Sequence, residues 1–363
     1  MLKLLKTGWG LRMTSKLDFD GERISVDEAR AVEVMTAILR SLGCSTKAAG
    51  MIADHLADAS LCGVESHGVI RILQYARQFK SGYMTATGHP QISRRDGQFL
   101  QIDGGCGHGI PAMQLAFDAS MEQAAKSGIC VTIITNLGHT GRHGAFAEGA
   151  ADAGMLSILI GGGNRAIWQQ VAPHGGATAK LPTNPWCLGL PGGDHGSFIL
   201  DLATSTVAGG WIYAAESAGA KLPAGCLIDR DGRPSTDPAS YFDGGAILPA
   251  AGQKGYAMAL AAELIAEALI GPVATEANWL LIMIDSSKVT PGHSLQTRAE
   301  EVLADIRSCP PAPGFDRVEI PGERERRCRT ESGGVINIPE KTWADILALR
   351  VELTVNQVRP SSA

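Results

Sequence analysis

The stretch Ile129-Cys130-Val131-Thr132-Ile133-Ile134, followed by Gly138-His139-Thr140-Gly141-Arg142-His143-Gly144, gives the clearest indication of the fold. Its first part is a short apolar string rich in β-branched residues, which predicts a buried strand. Its second part is a glycine-rich turn ahead of a helix that we predict from about residue 144 to 154. A strand, a turn and a helix in this order indicate an α/β domain.

Similar apolar strings, separated by glycines, recur on both sides of this stretch. They predict further strands at 99–103, 156–160, 198–201 and 279–284, with helices at about 111–127 and 255–269. The pattern Gly161-x-Gly163-x-x-Ala166 follows a predicted strand and mimics a dinucleotide fingerprint. The chain then continues through Pro173 and Pro182 instead of a helix, so an ordinary Rossmann crossover is disfavoured.

Three predicted helices precede the strands. The first begins at a capping box of Ser25 and Glu28, the second begins at Ser45, and the third runs from Ser66 to Gly82. We therefore predict a helical domain over residues 20–90, completed by C-terminal segments of about 285–355. An α/β cofactor domain covers 91–284, residues 1–19 form an N-terminal extension, and Met13 is an alternative start.

The composition limits the classes of function. The 363 residues are 45% hydrophobic and 19% charged with a net charge of −5, and no apolar run reaches the roughly 20 residues of a membrane helix. No basic run indicates a nucleic-acid partner. The eight cysteines form no C-x-x-C motif, which argues against a zinc ribbon and favours the reducing cytoplasm. A small-molecule ligand is the better expectation.

Ser66, His67 and Arg71 are the first candidate functional group. On one helix, His67 and Arg71 would share a face, with Ser66 at the helix start. An imidazole can move a proton near neutral pH, and a guanidinium binds a carboxylate with two N–H groups. The group therefore suits a small α-keto or α-hydroxy acid. The alternative is an ordinary surface helix with Ser66 as its N-cap.

His139 is the second candidate, because it follows a predicted strand, where ligands of α/β sheets bind. The turn from His139 to Gly144 would present backbone N–H groups and a helix N-terminus to an anionic cofactor group. Two alternatives remain at this point. His139 and His143 stand four apart and could ligate zinc, although the glycines break the helix, or the glycines could serve only to form turns.

Further polar residues follow other predicted strands and loops. They comprise an acid, hydroxyls and a cation, a set that suits a cleft for a sugar-phosphate cofactor. They lie in the segments Pro182-Thr183-Asn184-Pro185, Asp201-Leu202-Ala203-Thr204-Ser205, Thr236-Asp237-Pro238, Lys254-Gly255-Tyr256 and Pro321-Gly322-Glu323.

Taken in order with Ser66-His67-Gly68, Arg71 and the His139 turn, these segments resemble the type 2 malate/L-lactate dehydrogenase family over about residues 20–355. The resemblance implies a non-Rossmann NAD(P)-binding fold of α/β (α+β) class, with a mixed-sheet cofactor domain and a helical domain. It also implies a homodimer with NAD or NADP as cofactor. The family includes sulfolactate, ureidoglycolate and malate dehydrogenases and reductases of cyclic imino acids such as Δ1-piperideine-2-carboxylate.

The resemblance also implies roles for individual residues. Arg71 would clamp the substrate carboxylate, with Thr183 nearby. His139 would be the general acid/base in hydroxy-acid members, whereas a relay of Ser66, His67 and Asp201 is suggested for imine reductases, and both proton routes stay open. The expected cofactor contacts are His139, Thr140, Gly141, Arg142, His143, Asp201, Thr204, Lys254, Gly322, Glu323 and Arg324.

The chain departs from the family pattern at two places, which puts the familiar substrates in doubt. Gly209-Gly210-Trp211 stands where the family often has a lysine after glycine, and Leu137-Gly138 stands where it has a polar pair. Arg142 could pair with a 2′-phosphate and favour NADP. A non-catalytic metabolite-binding protein of the same fold is the alternative function, and no metal is expected.

Overall fold

In the computed structural model, residues 22–289, 291–292 and 294–358 are described; the predicted extension at 1–19 and the alternative start Met13 lie outside them. The helices are α1 (Glu28–Ser41), α2 (Thr46–Leu61), α3 (Arg71–Lys80), α4 (Gly109–Ser127), α5 (His143–Asp152), α6 (Gly209–Ala218), α7 (Ala239–Phe242), α8 (Gln253–Glu263), α9 (Ser286–Val289), α10 (Leu295–Arg307), α11 (Glu323–Ser332) and α12 (Glu340–Val358). The strands are β1 (Arg23–Asp27), β2 (Gln91–Asp96), β3 (Phe99–Gly107), β4 (Ile129–Leu137), β5 (Met155–Gly162), β6 (Trp186–Gly193), β7 (Gly196–Leu202), β8 (Leu227–Ile228), β9 (Pro234–Ser235), β10 (Ala246–Ile247), β11 (Asn278–Asp285) and β12 (Val335–Pro339).

A seven-stranded mixed sheet forms the centre of the molecule, in the order β2-β3-β4-β11-β5-β6-β7. Within it, β3 and β4 pair in parallel and the other neighbours pair antiparallel. Helix α4 packs on β3, β4 and β11, and α5 packs on β5, β6 and β7. A Rossmann domain would have a mostly parallel sheet. The predicted mixed-sheet, non-Rossmann fold is therefore confirmed.

The helical layer combines N-terminal and C-terminal segments of the described chain. Helix α12 packs on α1 and α3, while β1 pairs antiparallel with β12. The predicted capping box at Ser25 is wrong, because Ser25 lies in β1 and its hydroxyl donates to the Asn337 side chain at 3.0 Å. Asp27 takes the N-cap position of α1 instead. The second helix does begin as predicted, with Ser45 Oγ accepting from the backbone N–H of Ala48.

One buried core continues from the helical layer into the sheet, linking Ile38 and Leu56 with Phe117, Ile134 and Leu281. The domain boundary at 90/91 consequently stays a prediction. A second core, around Val171, Ile212 and Ile247, lies beneath the small sheet β10-β8-β9. The sequence did not indicate this small unit, because its strands are only two residues long. No helix in the described ranges combines the length and apolarity needed to span a membrane.

Candidate active site

Ser66, His67 and Arg71 do come together, but not on one helix as predicted. Residues 65–67 form a single 3-10 turn, and α3 begins only at Arg71. The chain is extended at Gly68, with a ψ of −156°, and a Cβ there would lie 2.1 Å from Ser60 Oγ of α2, so only glycine fits at this close approach. The turn brings Ser66 Oγ to 3.0 Å from His67 Nδ1. Arg71 then reaches back, and its Nε donates to the Ser66 carbonyl.

His139 lies beside this group, two residues beyond the end of β4. Its Nδ1 lies 2.7 Å from the Tyr75 hydroxyl and accepts from the backbone N–H of Gly141 at 3.2 Å. Its ring stacks on that of His67 with centroids 5.4 Å apart. Because the Gly141 N–H can only donate, Nδ1 is the unprotonated nitrogen, and a neutral His139 carries its proton on Nε2.

The surroundings of both histidines disfavour the charged imidazolium. Burial, and next the positive charge of Arg71, lower the pKa of His67 to about 3 and the pKa of His139 well below its usual range. A substrate carboxylate bound to Arg71 would cancel part of this effect. An anion beside Arg71 would therefore raise the pKa values of the two imidazoles.

The turn that follows His139 is held together by its own side chains. Thr140 Oγ1 lies 2.7 Å from His143 Nε2, and both residues are buried. The Arg142 guanidinium is also buried and pairs with Asp58 at 2.8 Å, while its backbone N–H donates to His55. The Arg142 guanidinium is thus engaged by Asp58, and its pairing with a 2′-phosphate stays a prediction.

The zinc alternative finds no support in the geometry. Nδ1 of His139 is already bonded to Tyr75 and Gly141, and His143 bonds Thr140. Within the described ranges, His, Cys, Asp and Glu side chains form no cluster of three or more that could hold a metal ion.

Asp201 lies in β7 and faces the N-terminus of α5. Its Oδ2 accepts from the Gly144 N–H at 2.7 Å, and its Oδ1 lies 3.7 Å from His143 Nδ1. Burial alone would raise the pKa of Asp201, but His143, the Gly144 N–H and Arg142 together lower it. The structure therefore shows the Ser66–His67 contact of the suggested relay, whereas Asp201 is bonded to the His139–Gly144 turn instead of His67.

Three other expected site residues lie around the end of β7. The Thr204 hydroxyl donates to the Thr183 carbonyl at 2.9 Å and is buried, so both residues fix the loop. Lys254 is exposed at the start of α8. Gly255 behind it lies so close that a Cβ there would be 2.7 Å from the Thr204 carbonyl.

The segment 322–324 joins β7 to the helical layer. Gly322 is the N-cap of α11 with a φ of 98°, and the Pro321 carbonyl before it accepts from Ile199 N–H of β7. The Glu323 carboxylate is already engaged by Arg307 and by the Ile320 N–H. Arg324 donates to the Gly63 carbonyl at 3.4 Å. Glu323 and Arg324 therefore orient this segment through contacts within the protein.

Two residues near the site were missed from the sequence. Tyr75 stands one helical turn after Arg71, so the same-face spacing on α3 could have identified it. Glu276 is a carboxyl group whose pKa burial raises to about 7, against the opposing charge of Arg71. No motif surrounds it, and its proximity to Arg71 depends on the folded chain.

The chain is similar to known proteins over most of its length. Residues 26–347 match the family model for malate/L-lactate dehydrogenase. Over 324 residues the chain is 31% identical to Delta(1)-pyrroline-2-carboxylate/Delta(1)-piperideine-2-carboxylate reductase of Pseudomonas putida, covering 85% of this chain and 92% of that protein. It is 32% identical over 352 residues to L-lactate dehydrogenase of Cupriavidus necator, covering 92% and 98%. The structure of sulfolactate dehydrogenase from Methanocaldococcus jannaschii superposes with a TM-score of 0.80 at 29% identity, covering 91% and 98%.

The fold and site define an oxidoreductase of small carboxylates, the class to which these relatives belong. The chain belongs to the malate/L-lactate dehydrogenase family. The resemblance drawn from its motifs is confirmed. The alternative of a non-catalytic metabolite-binding protein is not favoured, because the named relatives are dehydrogenases and reductases.

Proposed function

We propose that the protein is an NAD(P)-dependent oxidoreductase in which a bound nicotinamide exchanges a hydride with C2 of a small carboxylate. The substrate is a 2-oxo or 2-hydroxy acid, or a cyclic 2-imino carboxylate. The observation that carries the proposal is the stacking of His67 on His139, with centroids 5.4 Å apart. This contact joins the carboxylate-binding group of the helical layer to the end of β4.

Arg71 binds and orients the substrate carboxylate. Its guanidinium is already fixed through Nε to the Ser66 carbonyl and through Nη1 to the Gln74 side chain. The remaining N–H groups are therefore presented in one orientation, and little side-chain freedom is lost when the carboxylate binds.

His139 acts on the reacting oxygen or nitrogen of the substrate. In the reduction, His139 acts as the imidazolium: it gives its Nε2 proton to the carbonyl oxygen or imine nitrogen as C2 is reduced and is left neutral, while the Tyr75 hydroxyl can accept from its Nδ1–H. An acid/base group in this position contributes roughly 10²- to 10⁴-fold to the rate. We assign the proton to His139 and not to the Ser66–His67 pair, because Asp201 is hydrogen-bonded to the His139–Gly144 turn and acts on His67 only through its charge.

The chemistry of Asp201 fits a nicotinamide cofactor. A carboxylate has about four acceptor positions, and the side chain keeps 26% of its surface exposed after bonding to Gly144 and His143. Asp201 would accept from amide or ribose hydroxyl groups, while Lys254 at the start of α8 would attract a phosphate. We propose the His139–Gly144 turn, Thr204 and the segment 322–324 as the remaining wall, with either NAD or NADP.

We further propose that the protein works as a homodimer in the cytoplasm. The eight cysteines all lie in the described ranges and are free thiols, which suits a reducing compartment. The dimer follows the expectation for the family, and sedimentation of the purified protein tests it.

The decisive experiment measures oxidation of NADH and of NADPH with pyruvate, oxaloacetate, sulfopyruvate and cyclic imino acids. We expect turnover with at least one carboxylate, and a loss of roughly 10²-fold or more in kcat for His139→Ala. Full turnover by both His139→Ala and His67→Ala would overturn the mechanism. Binding of a nucleotide without turnover of any substrate would instead support the non-catalytic alternative.

A further inference from the structure

Glu276 lies at one end of the central strands of the sheet, next to the candidate active site. The hydroxyl of its neighbour Thr275 donates to the carbonyl of Leu137, the last residue of β4, at 2.8 Å. The Asn164 side chain, just beyond β5, donates to the Thr275 carbonyl. Because β11 begins at Asn278, residue 276 is fixed between the ends of three central strands. It thus lies at the same end of these strands as His139.

The buried carboxyl group of Glu276 is incompletely hydrogen-bonded. Its Oε2 is buried without a hydrogen-bond partner in the described part of the chain, and the Tyr83 hydroxyl and the Trp168 indole N–H have no partner there other than each other. These groups are neighbours, since the charge of Glu276 and the indole of Trp168 both act on the pKa of Tyr83. Buried polar atoms are normally satisfied, and each exception needs an explanation.

Glu276 also faces the carboxylate-binding group. Burial raises the pKa of its carboxyl, and the charge of Arg71 opposes that effect. The charge of Glu276 in turn adds to the burial that raises the pKa of Tyr75, the residue bonded to His139. The cluster therefore lies near both Arg71 and Tyr75, at the strand ends that carry His139.

We propose that Glu276, Tyr83 and Trp168 form a subsite for the substrate side chain, in which Glu276 selects substrates that carry a single negative charge. The inference rests on the proposed function and names its substrate class. A neutral, hydroxyl-bearing or amine-bearing side chain would satisfy the carboxyl group and the indole N–H. Above about pH 7, where the Glu276 carboxyl is ionised, a second carboxylate or a sulfonate would instead face a like charge in a poorly solvated site, so the assays are run above that pH.

The test compares Glu276→Gln with the wild type on two matched substrates. Pyruvate carries one negative charge and oxaloacetate carries two, and both present the same 2-oxo acid to Arg71 and His139. We expect the wild type to favour pyruvate, and Glu276→Gln to raise the ratio of kcat/KM for oxaloacetate over pyruvate by about tenfold or more. Glu122→Gln, the same change at an exposed position on α4, is the control and should leave the ratio unchanged.

Inhibitor binding gives a second measurement that does not depend on turnover. Oxamate is a singly charged analogue and tartronate is a doubly charged one, so their inhibition constants should converge in Glu276→Gln. A variant that loses activity equally with both substrates, or loses only thermal stability, would show that Glu276 has a structural role and would overturn the proposal. A wild-type preference for oxaloacetate would overturn it as well.

The two proposals can fail separately. If the wild type reduces none of the carboxylates with either nucleotide, the proposed function itself is wrong. If it does reduce them while Glu276→Gln keeps the wild-type ratio, only the subsite is wrong.

Discussion

The Tyr75 hydroxyl lies 2.7 Å from Nδ1 of His139, although the two residues are 64 positions apart in the chain. Tyr75 belongs to α3, in the helical layer, whereas His139 follows the central strand β4. The contact holds the imidazole from the side opposite to Nε2. The helical layer thus sets the orientation of the histidine at the end of the sheet.

We expect Tyr75→Phe to lower kcat by roughly tenfold with little change in KM, because the substrate carboxylate is held by Arg71 and not by Tyr75. The loss of one hydrogen bond should cost about 1 kcal/mol of stability. Steady-state kinetics and the nitrogen chemical shifts of His139 provide the measurements. Tyr241→Phe, beside the second core, is the control. An unchanged kcat together with an unchanged tautomer would contradict a positioning role for Tyr75.

Arg71→Lys should raise KM for the carboxylate substrate by roughly tenfold or more. A lysine keeps the charge but loses the planar group that bonds both the Ser66 carbonyl and the Gln74 side chain. Arg77→Lys, on the exposed side of the same helix, is the matched control and should behave as the wild type. Equal KM values for the two variants would remove Arg71 from the carboxylate site.

Gly141→Ala should destabilise the protein by about 3 kcal/mol, more than a change of backbone strain alone would produce. Gly141 has a φ of 74°, and an added Cβ would lie 2.3 Å from His55 Nε2. Gly219→Ala has a similar φ of 63° with open space around it, and it should cost only about 1 kcal/mol. Urea unfolding of both variants separates steric overlap from strain. Equal losses would show that the loop can move away from His55.

Stability should fall as the pH decreases from about 6.5 towards about 3, partly because of His55. Burial, and next the charge of Arg142, lower the pKa of His55 from 6.5 to about 3. The unfolded chain then binds a proton that the folded chain excludes, so the stabilisation is complete above pH 6.5 and is lost below it. His55→Gln should reduce the slope by up to about 1.4 kcal/mol per pH unit.

Denaturant titrations at several pH values measure that slope. The exposed His89→Gln variant is the control for a general effect of removing an imidazole. A slope in His55→Gln equal to that of the wild type would contradict the assignment of this proton to His55.

Local patterns were enough to predict the elements around His139. The apolar string and the glycine turn gave β4 and the start of α5 within a few residues, because strand periodicity and glycine punctuation are local signals. The break before α3 was not predictable in this way. It depends on the approach of Gly68 to Ser60, a residue of the preceding helix.

The partners of the charged site residues could not be predicted from the sequence either. Arg142 follows a glycine in a cofactor-like turn, yet its guanidinium pairs with Asp58, 84 positions earlier in the chain. Glu276 has no motif, and its meaning comes only from its unsatisfied position near Arg71. Patterns therefore identified which residues could do chemistry, while long-range packing decided which of them are free to do it.

The pairing of β1 with β12 has a consequence for folding during synthesis. Its register joins Arg23 to Pro339, so the helical layer that carries Ser66, His67 and Arg71 is finished only when the last part of the described chain arrives. During translation, α1 and α3 are synthesised first, and all strands of the central sheet are synthesised before α12 can pack on these two helices. The part of the site that carries Ser66, His67 and Arg71 is thus synthesised early and completed late.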